Sequence, residues 1–174
     1  MKRHGKINYP DFINACAAYV GKLRNLYNYD LQQKCHNMSR GDSNERVAII
    51  GLMGELIFSH YLHSKGIKHT LNKILDNKPV VSWDIKISEN CLIDVKTKKT
   101  DKIKRHFLVN KKGHHKEGKN VTHYVFIILG EDNNAEYFIF DKAEISKWEI
   151  INVKYSDAYS LDISEYKKNI KNEA

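Results

Sequence analysis

The sequence predicts a mixed α/β (α+β) fold in which a central β-sheet is flanked by helices. Three observations predict it: two long stretches with helical periodicity come first, a run of short alternating segments follows, and a further helical segment comes after them. The length of 174 residues fits a single domain spanning 1–174, and a hydrophobic share of 41% is enough to fill one core.

The first expected helix covers residues of about 10–33, because Ile13, Ala17, Val20, Leu23 and Tyr27 recur at helical spacing. Residues 38–42 (Met-Ser-Arg-Gly-Asp) interrupt it. Ser43 then offers an N-cap, although Arg46 stands where a capping box would carry an acid. A second helix runs from there to about Ser64, with Gly66 as its terminator. Its centre, residues 47–58, carries one charged side chain, Glu55, and is expected to be buried on most sides.

Strand patterns come next. Residues 82–87 and 91–98 flank the polar turn Ser88, Glu89, Asn90 and read as a hairpin. Residues 106–110 form another strand, and 124–129 and 136–140 form two more, joined through Gly130 to Asn134. A helix begins near Lys142, and the polar segment 166–174 is expected to fray as a tail. The functional core on this reading spans about 43–150.

Composition excludes some functions. The chain has no run of about eighteen apolar residues, so no membrane-spanning helix and no membrane partner are expected. The first six residues are basic but lead into no apolar core, which argues against a secretory signal. An odd count of cysteines (Cys16, Cys35 and Cys91) at loose spacing argues against a disulfide scaffold and for a reducing, cytoplasmic location. Cys35-His36 supplies only two of the four ligands a structural zinc takes, so buried thiols are expected instead. The abundance of Lys, Asn and Ile points to an AT-rich bacterial or phage genome.

The charge is local. Residues 96–119 hold ten Lys or Arg against Asp101 and Glu117, a local excess equal to the whole-chain net charge of +8. A cationic segment in an otherwise neutral domain points to a polyanion, with a solvated lysine-rich loop as the bland alternative. Lys98, Lys99, Lys102, Lys104, Arg105, Lys111, Lys112, Lys116 and Lys119 are the candidate phosphate contacts, with His114 and His115 interspersed. Such contacts give salt-sensitive affinity and little sequence readout. His114-His115 could instead be a catalytic or metal-binding pair, but without a third ligand nearby a loop is the preferred reading.

The hairpin carries the chemistry. A three-residue turn opposes Ile87 to Cys91 and therefore Asp84 to Asp94. Alternation then puts Trp83, Ile85, Ile87, Cys91, Ile93 and Val95 on an apolar face, and Asp84, Lys86, Asp94, Lys96 and Lys98 on the other. Opposed residues lie about 5 Å apart at Cβ, and carboxylates that close are tolerated when one is protonated, when lysines flank them or when a cation binds between them. Magnesium favours such oxygen donors. Lys96 could steady the charge building on a phosphate or hold the attacking water. Glu55 is a third carboxylate, either buried toward this site or facing solvent on a thin polar stripe.

Gly54-Glu55, Asp84 and Asp94-Val95-Lys96 together resemble the PD-(D/E)XK, or restriction-endonuclease-like, nuclease superfamily over roughly residues 45–140. Residues 92–98 (Leu-Ile-Asp-Val-Lys-Thr-Lys) look like its central strand, while Trp83 stands where the name-giving proline would be. The resemblance implies a mixed sheet flanked by helices, with the Asp and Asp-x-Lys elements on neighbouring strands. It implies Asp84 and Asp94 as Mg2+ (or Mn2+) ligands, Glu55 assisting from its helix, and Lys96 as the catalytic lysine. It further implies an endonuclease acting on duplex or branched DNA, in a family where homodimers are common. A nuclease-fold protein that binds nucleic acid without cutting is the alternative. A basic face serving an acidic protein is a weaker one.

Overall fold

The computed structural model describes residues 3–34, 45–72, 83–99, 106–115, 120–153 and 156–172. The expected break at 38–42, the Ser43 cap, Cys35, His36, and the candidate phosphate contacts Lys102, Lys104, Arg105, Lys116 and Lys119 lie outside these residues.

The described chain runs β1 (His4–Asn8), α1 (Phe12–Lys34), α2 (Glu45–Ser64), β2 (Thr70–Leu71), β3 (Ile85–Ser88), β4 (Cys91–Lys99), β5 (His106–Asn110), α3 (Lys111–His114), β6 (His123–Leu129), β7 (Asn134–Asp141), α4 (Lys142–Ile145), β8 (Glu149–Val153), β9 (Ser156–Asp162) and α5 (Ile163–Asn172). It is mixed α+β, as the sequence predicts. A six-stranded sheet has the order β1-β7-β6-β4-β3-β2, and a three-stranded sheet has the order β5-β9-β8. The larger sheet is mixed, because β4 and β6 are parallel while its other pairs are antiparallel.

Alternation along the central strands builds two cores. Ile93 and Val95 of β4, Val125 and Ile127 of β6, and Tyr137 and Ile139 of β7 face one side, where they meet Ile57, Phe58 and Leu62 of α2 and Ile13 of α1. Tyr124, Phe126 and Ile128 face the other side, against Phe107 and Val109 of β5, Tyr159 of β9 and Ile163 of α5. The sheet is therefore covered on both faces, which explains why β6 reads as a continuous apolar run.

Several elements depart from the sequence reading. β1 was not anticipated; it adds an edge strand beside β7, with Ile7 in the first core. β8 and β9 were also missed, and α4 is a single turn. The expected fraying tail is helix α5, capped by Asp162, whose Oδ1 accepts from the backbone of Ser164 and Glu165. Tyr166 on that helix packs against the second core.

The second helix, α2, is buried on one face only: Leu52, Ile57, Phe58 and Leu62 are inside, whereas Val47 is 65% exposed. It is long and apolar enough to cross a membrane by length and composition, a test that the sequence reading did not expect any segment to pass. Core helices pass the same test, and here the apolar face of α2 lies against β4 and its neighbours. Its end is as expected. Gly66 adopts φ 69°, and Ile67 and Gly66 donate to Leu62 and His63 at 2.9 Å. Of the cysteines, Cys16 is exposed, contrary to the expectation of buried thiols, and Cys91 is half-buried.

Candidate active site

The β3–β4 register places the acidic pair. Ile85 pairs with Ile93 and Lys86 with Leu92, the alignment expected from the sequence, so Asp84 extends toward Asp94. The turn itself differs. A bulge between Lys86 and Ser88 opposes Ser88, not Ile87, to Cys91 and leaves Glu89-Asn90 as the turn. Trp83 departs from the expected apolar face and packs on the second core.

Strand pairing dictates the position of Asp84. Its backbone N–H donates to Ile93 at 2.8 Å, and its carbonyl accepts from Asn72 N at 2.8 Å. Beyond that point β3 no longer runs beside β4, so the Val95 N–H needs another acceptor, and Asp84 Oδ2 supplies it at 2.7 Å. The carboxylate is thus pinned to the edge of β4, one residue from Asp94.

Asp94 is 5% exposed and lies beside Tyr124 in the parallel β4–β6 ladder. The Lys96 ammonium forms an ion pair with Asp94 Oδ1. The Lys96 side chain is 42% exposed, so this ammonium links the buried carboxylate to solvent. Glu55 is 6% exposed, which decides between its two sequence readings in favour of burial. The preceding residue explains how it arrives there. A Cβ on Gly54 would fall 1.8 Å from Thr97 Oγ1, so only glycine lets α2 approach β4 this closely.

These groups share one electrostatic environment. Burial, then the charges of Glu55 and Asp94, push Asp84 up to about 7, against the Val95 hydrogen bond and Lys96, which pull it down. Burial and Asp94 likewise raise the Tyr124 hydroxyl far above its usual range. Among the described residues, no three His, Cys, Asp or Glu side chains stand already gathered at metal-ligand spacing. The oxygen donors suit a hard divalent cation, and such an ion would have to take the place of the Lys96 ammonium at Asp94 Oδ1.

Sequence reasoning missed a chain of polar side chains behind Asp94. Tyr124 OH lies 3.2 Å from His114 Nδ1, and His114 Nε2 lies 2.9 Å from Ser146 Oγ. His114 is 1% exposed; it belongs to the interior rather than to a DNA-facing loop, because α3 turns it inward onto Tyr124 and Tyr159. His115 remains at the surface, with Nε2 2.7 Å from Tyr159 OH. Lys99 and Lys112 are exposed, Lys111 is half-buried, and Lys98 reaches the His106 carbonyl at 3.3 Å. The register could have revealed Tyr124, since it is the β6 partner of Asp94, but in sequence it looks like one more core aromatic.

No protein family, no curated protein and no solved structure matches the chain.

Proposed function

We propose that the chain is a metal-dependent endonuclease of restriction-endonuclease-like fold that hydrolyses phosphodiester bonds in DNA. One observation carries the proposal: carboxylates from three separate segments act on one another at a buried site beside the Lys96 ammonium, where burial and then the Glu55 and Asp94 charges push Asp84 up to about 7. Assembling like charges in the interior costs stability, and a bound divalent cation offsets that cost. Supporting it, the Asp and Asp-x-Lys elements sit on neighbouring strands of a mixed sheet flanked by helices, as the resemblance implies.

In this reading Asp84 and Asp94 hold Mg2+ or Mn2+, and Glu55 closes the shell or orients a water within it. When bound, the ion would polarise the phosphate and ease deprotonation of the attacking water. Lys96, displaced from Asp94, would meet the charge developing on the phosphate. Lys99, Lys111 and Lys112 would contact the backbone of the DNA.

The Lys96–Asp94 ion pair also favours a second reading, a nuclease-fold module that holds DNA without cutting, because the ammonium already balances the Asp94 charge without a metal. Incubation of the protein with supercoiled, linear and branched DNA plus Mg2+ or Mn2+ separates the two. The endonuclease reading predicts strand breaks that Asp94→Ala and Lys96→Ala abolish, with DNA affinity kept within a few-fold for Lys96→Ala. Tight binding without breaks on any substrate selects the module, and breaks unaffected by both substitutions sink the assigned site.

A further inference from the structure

A second cluster of reactive side chains lies on the opposite face of the sheet from Asp94. Cys91, at the start of β4, packs at the margin of the first core, its Sγ 3.9 Å from His123 Nδ1. The other ring nitrogen, Nε2, lies 3.0 Å from Asp141 Oδ1. A carboxylate only accepts, so Nε2 carries a proton, and Nδ1, when unprotonated, can accept from either Thr122 Oγ1 or the Cys91 thiol. Arg3 grips the second oxygen of Asp141 at 3.1 Å and Glu144 at 3.1 Å, which fixes the carboxylate against the ring.

The surroundings are built to receive a proton at Nδ1. Thr122 Oγ1 accepts from Leu92 N at 2.9 Å and lies 2.8 Å from His123 Nδ1; its one proton goes to Nδ1 or, when the hydroxyl turns, to the Leu92 carbonyl at 3.1 Å, which frees the Nδ1 lone pair for the thiol. Once Nδ1 is protonated, it can donate to Thr122 Oγ1, so both N–H groups of the imidazolium have acceptors. A nucleophile, a base and a carboxylate that orients the base recur wherever a thiol or hydroxyl is activated.

The cluster faces a cavity of about 380 Å³ lined by Arg3, Cys91, His123 and Asp141. Ile67, Ile87, Ile93 and Ile139 form its apolar walls. From these contacts we propose that Cys91 is an S-acylation site, in which His123 acts as general base and Asp141 as its positioning residue, and that the pocket accepts a short acyl group carried on a thioester. Cys91 Sγ attacks the carbonyl carbon and forms the new C–S bond while the donor's C–S bond breaks. The thiol proton passes to His123 Nδ1 and then to the departing thiolate. Burial pushes the Cys91 thiol up, which is why it needs a base within reach instead of standing as a thiolate. The proposal does not depend on DNA cleavage.

The test uses S-acetyl-N-acetylcysteamine with the full chain at neutral pH, and site-resolved mass spectrometry. In the parent protein Cys91 should acetylate faster than Cys16, which is exposed and serves as internal standard. His123→Gln should slow Cys91 by about tenfold or more, the usual scale for a lost general base. Asp141→Asn should slow it less, with Cys16 unchanged in both variants and melting curves checked for each. A Cys91 rate below that of Cys16 in the parent protein overturns the proposal without recourse to any variant. So does a Cys91 rate that is unchanged in a folded His123→Gln protein.

Discussion

Replacing Asp84 by Asn should stabilise the metal-free protein above neutral pH. The reasoning starts from the acid's position: burial and the Glu55 and Asp94 charges raise its pKa from 3.8 to about 7. The folded state therefore keeps a proton that the unfolded chain has already lost between those two values. Stability tied to this group is fully present at low pH and is lost as the pH rises from about 4 to about 7. The gap of about three pH units, at about 1.4 kcal/mol per unit, sets a ceiling of about 4 kcal/mol. Asparagine has nearly the same shape, cannot ionise, and can still accept from the Val95 N–H through its amide oxygen. Urea unfolding of both proteins at pH 5 and pH 8, without divalent metal, checks this. The variant should gain about 1–4 kcal/mol at pH 8 and much less at pH 5. An Asn variant that is less stable at pH 8, or a gain that does not depend on pH, would refute the claim that Asp84 is held in a strained, like-charged field.

Other outcomes follow from the same geometry. Gly54→Ala drives a methyl to within 1.8 Å of Thr97 Oγ1, so thermal melts should show a loss of about 1–3 kcal/mol. Thr97→Ala in the same chain should recover part of that loss, since it removes the atom in the way. His114→Ala leaves a void and strips partners from the hydroxyls of Tyr124 and Ser146, and should cost about 2–5 kcal/mol by urea titration. His115→Ala, at the surface, should cost under about 1 kcal/mol.

The hairpin was legible because both of its strands obey period two: Ile85, Ile93 and Val95 can face the core in only one register, and that register carries Asp84 to Asp94. Glu55 stood out for the same kind of reason, as the one charge in the apolar centre of α2, residues 47–58. The bulge at Ile87 was hidden, since nothing local distinguishes a three-residue turn from a tighter one followed by a bulge. β1 escaped because His4, Gly5 and Lys6 lack any strand signature; pairing with β7 makes them a strand. β8 and β9 carry polar residues on a face that only the second sheet explains. His114 looked like part of a basic loop, because sequence does not reveal that a single turn of helix points it at Tyr124.

The central claim is that Glu55, Asp84, Asp94 and Lys96 form a cation-dependent centre. Manganese binding followed by electron paramagnetic resonance at pH 7.5 tests it most directly. The account predicts one bound ion per chain, lost in Asp84→Asn and in Asp94→Asn, weakened in Glu55→Gln, and retained in Lys96→Ala, where the competing ammonium is gone. Manganese that binds equally well to the doubly substituted Asp84→Asn, Asp94→Asn protein would show that the ion sits elsewhere and contradict the account.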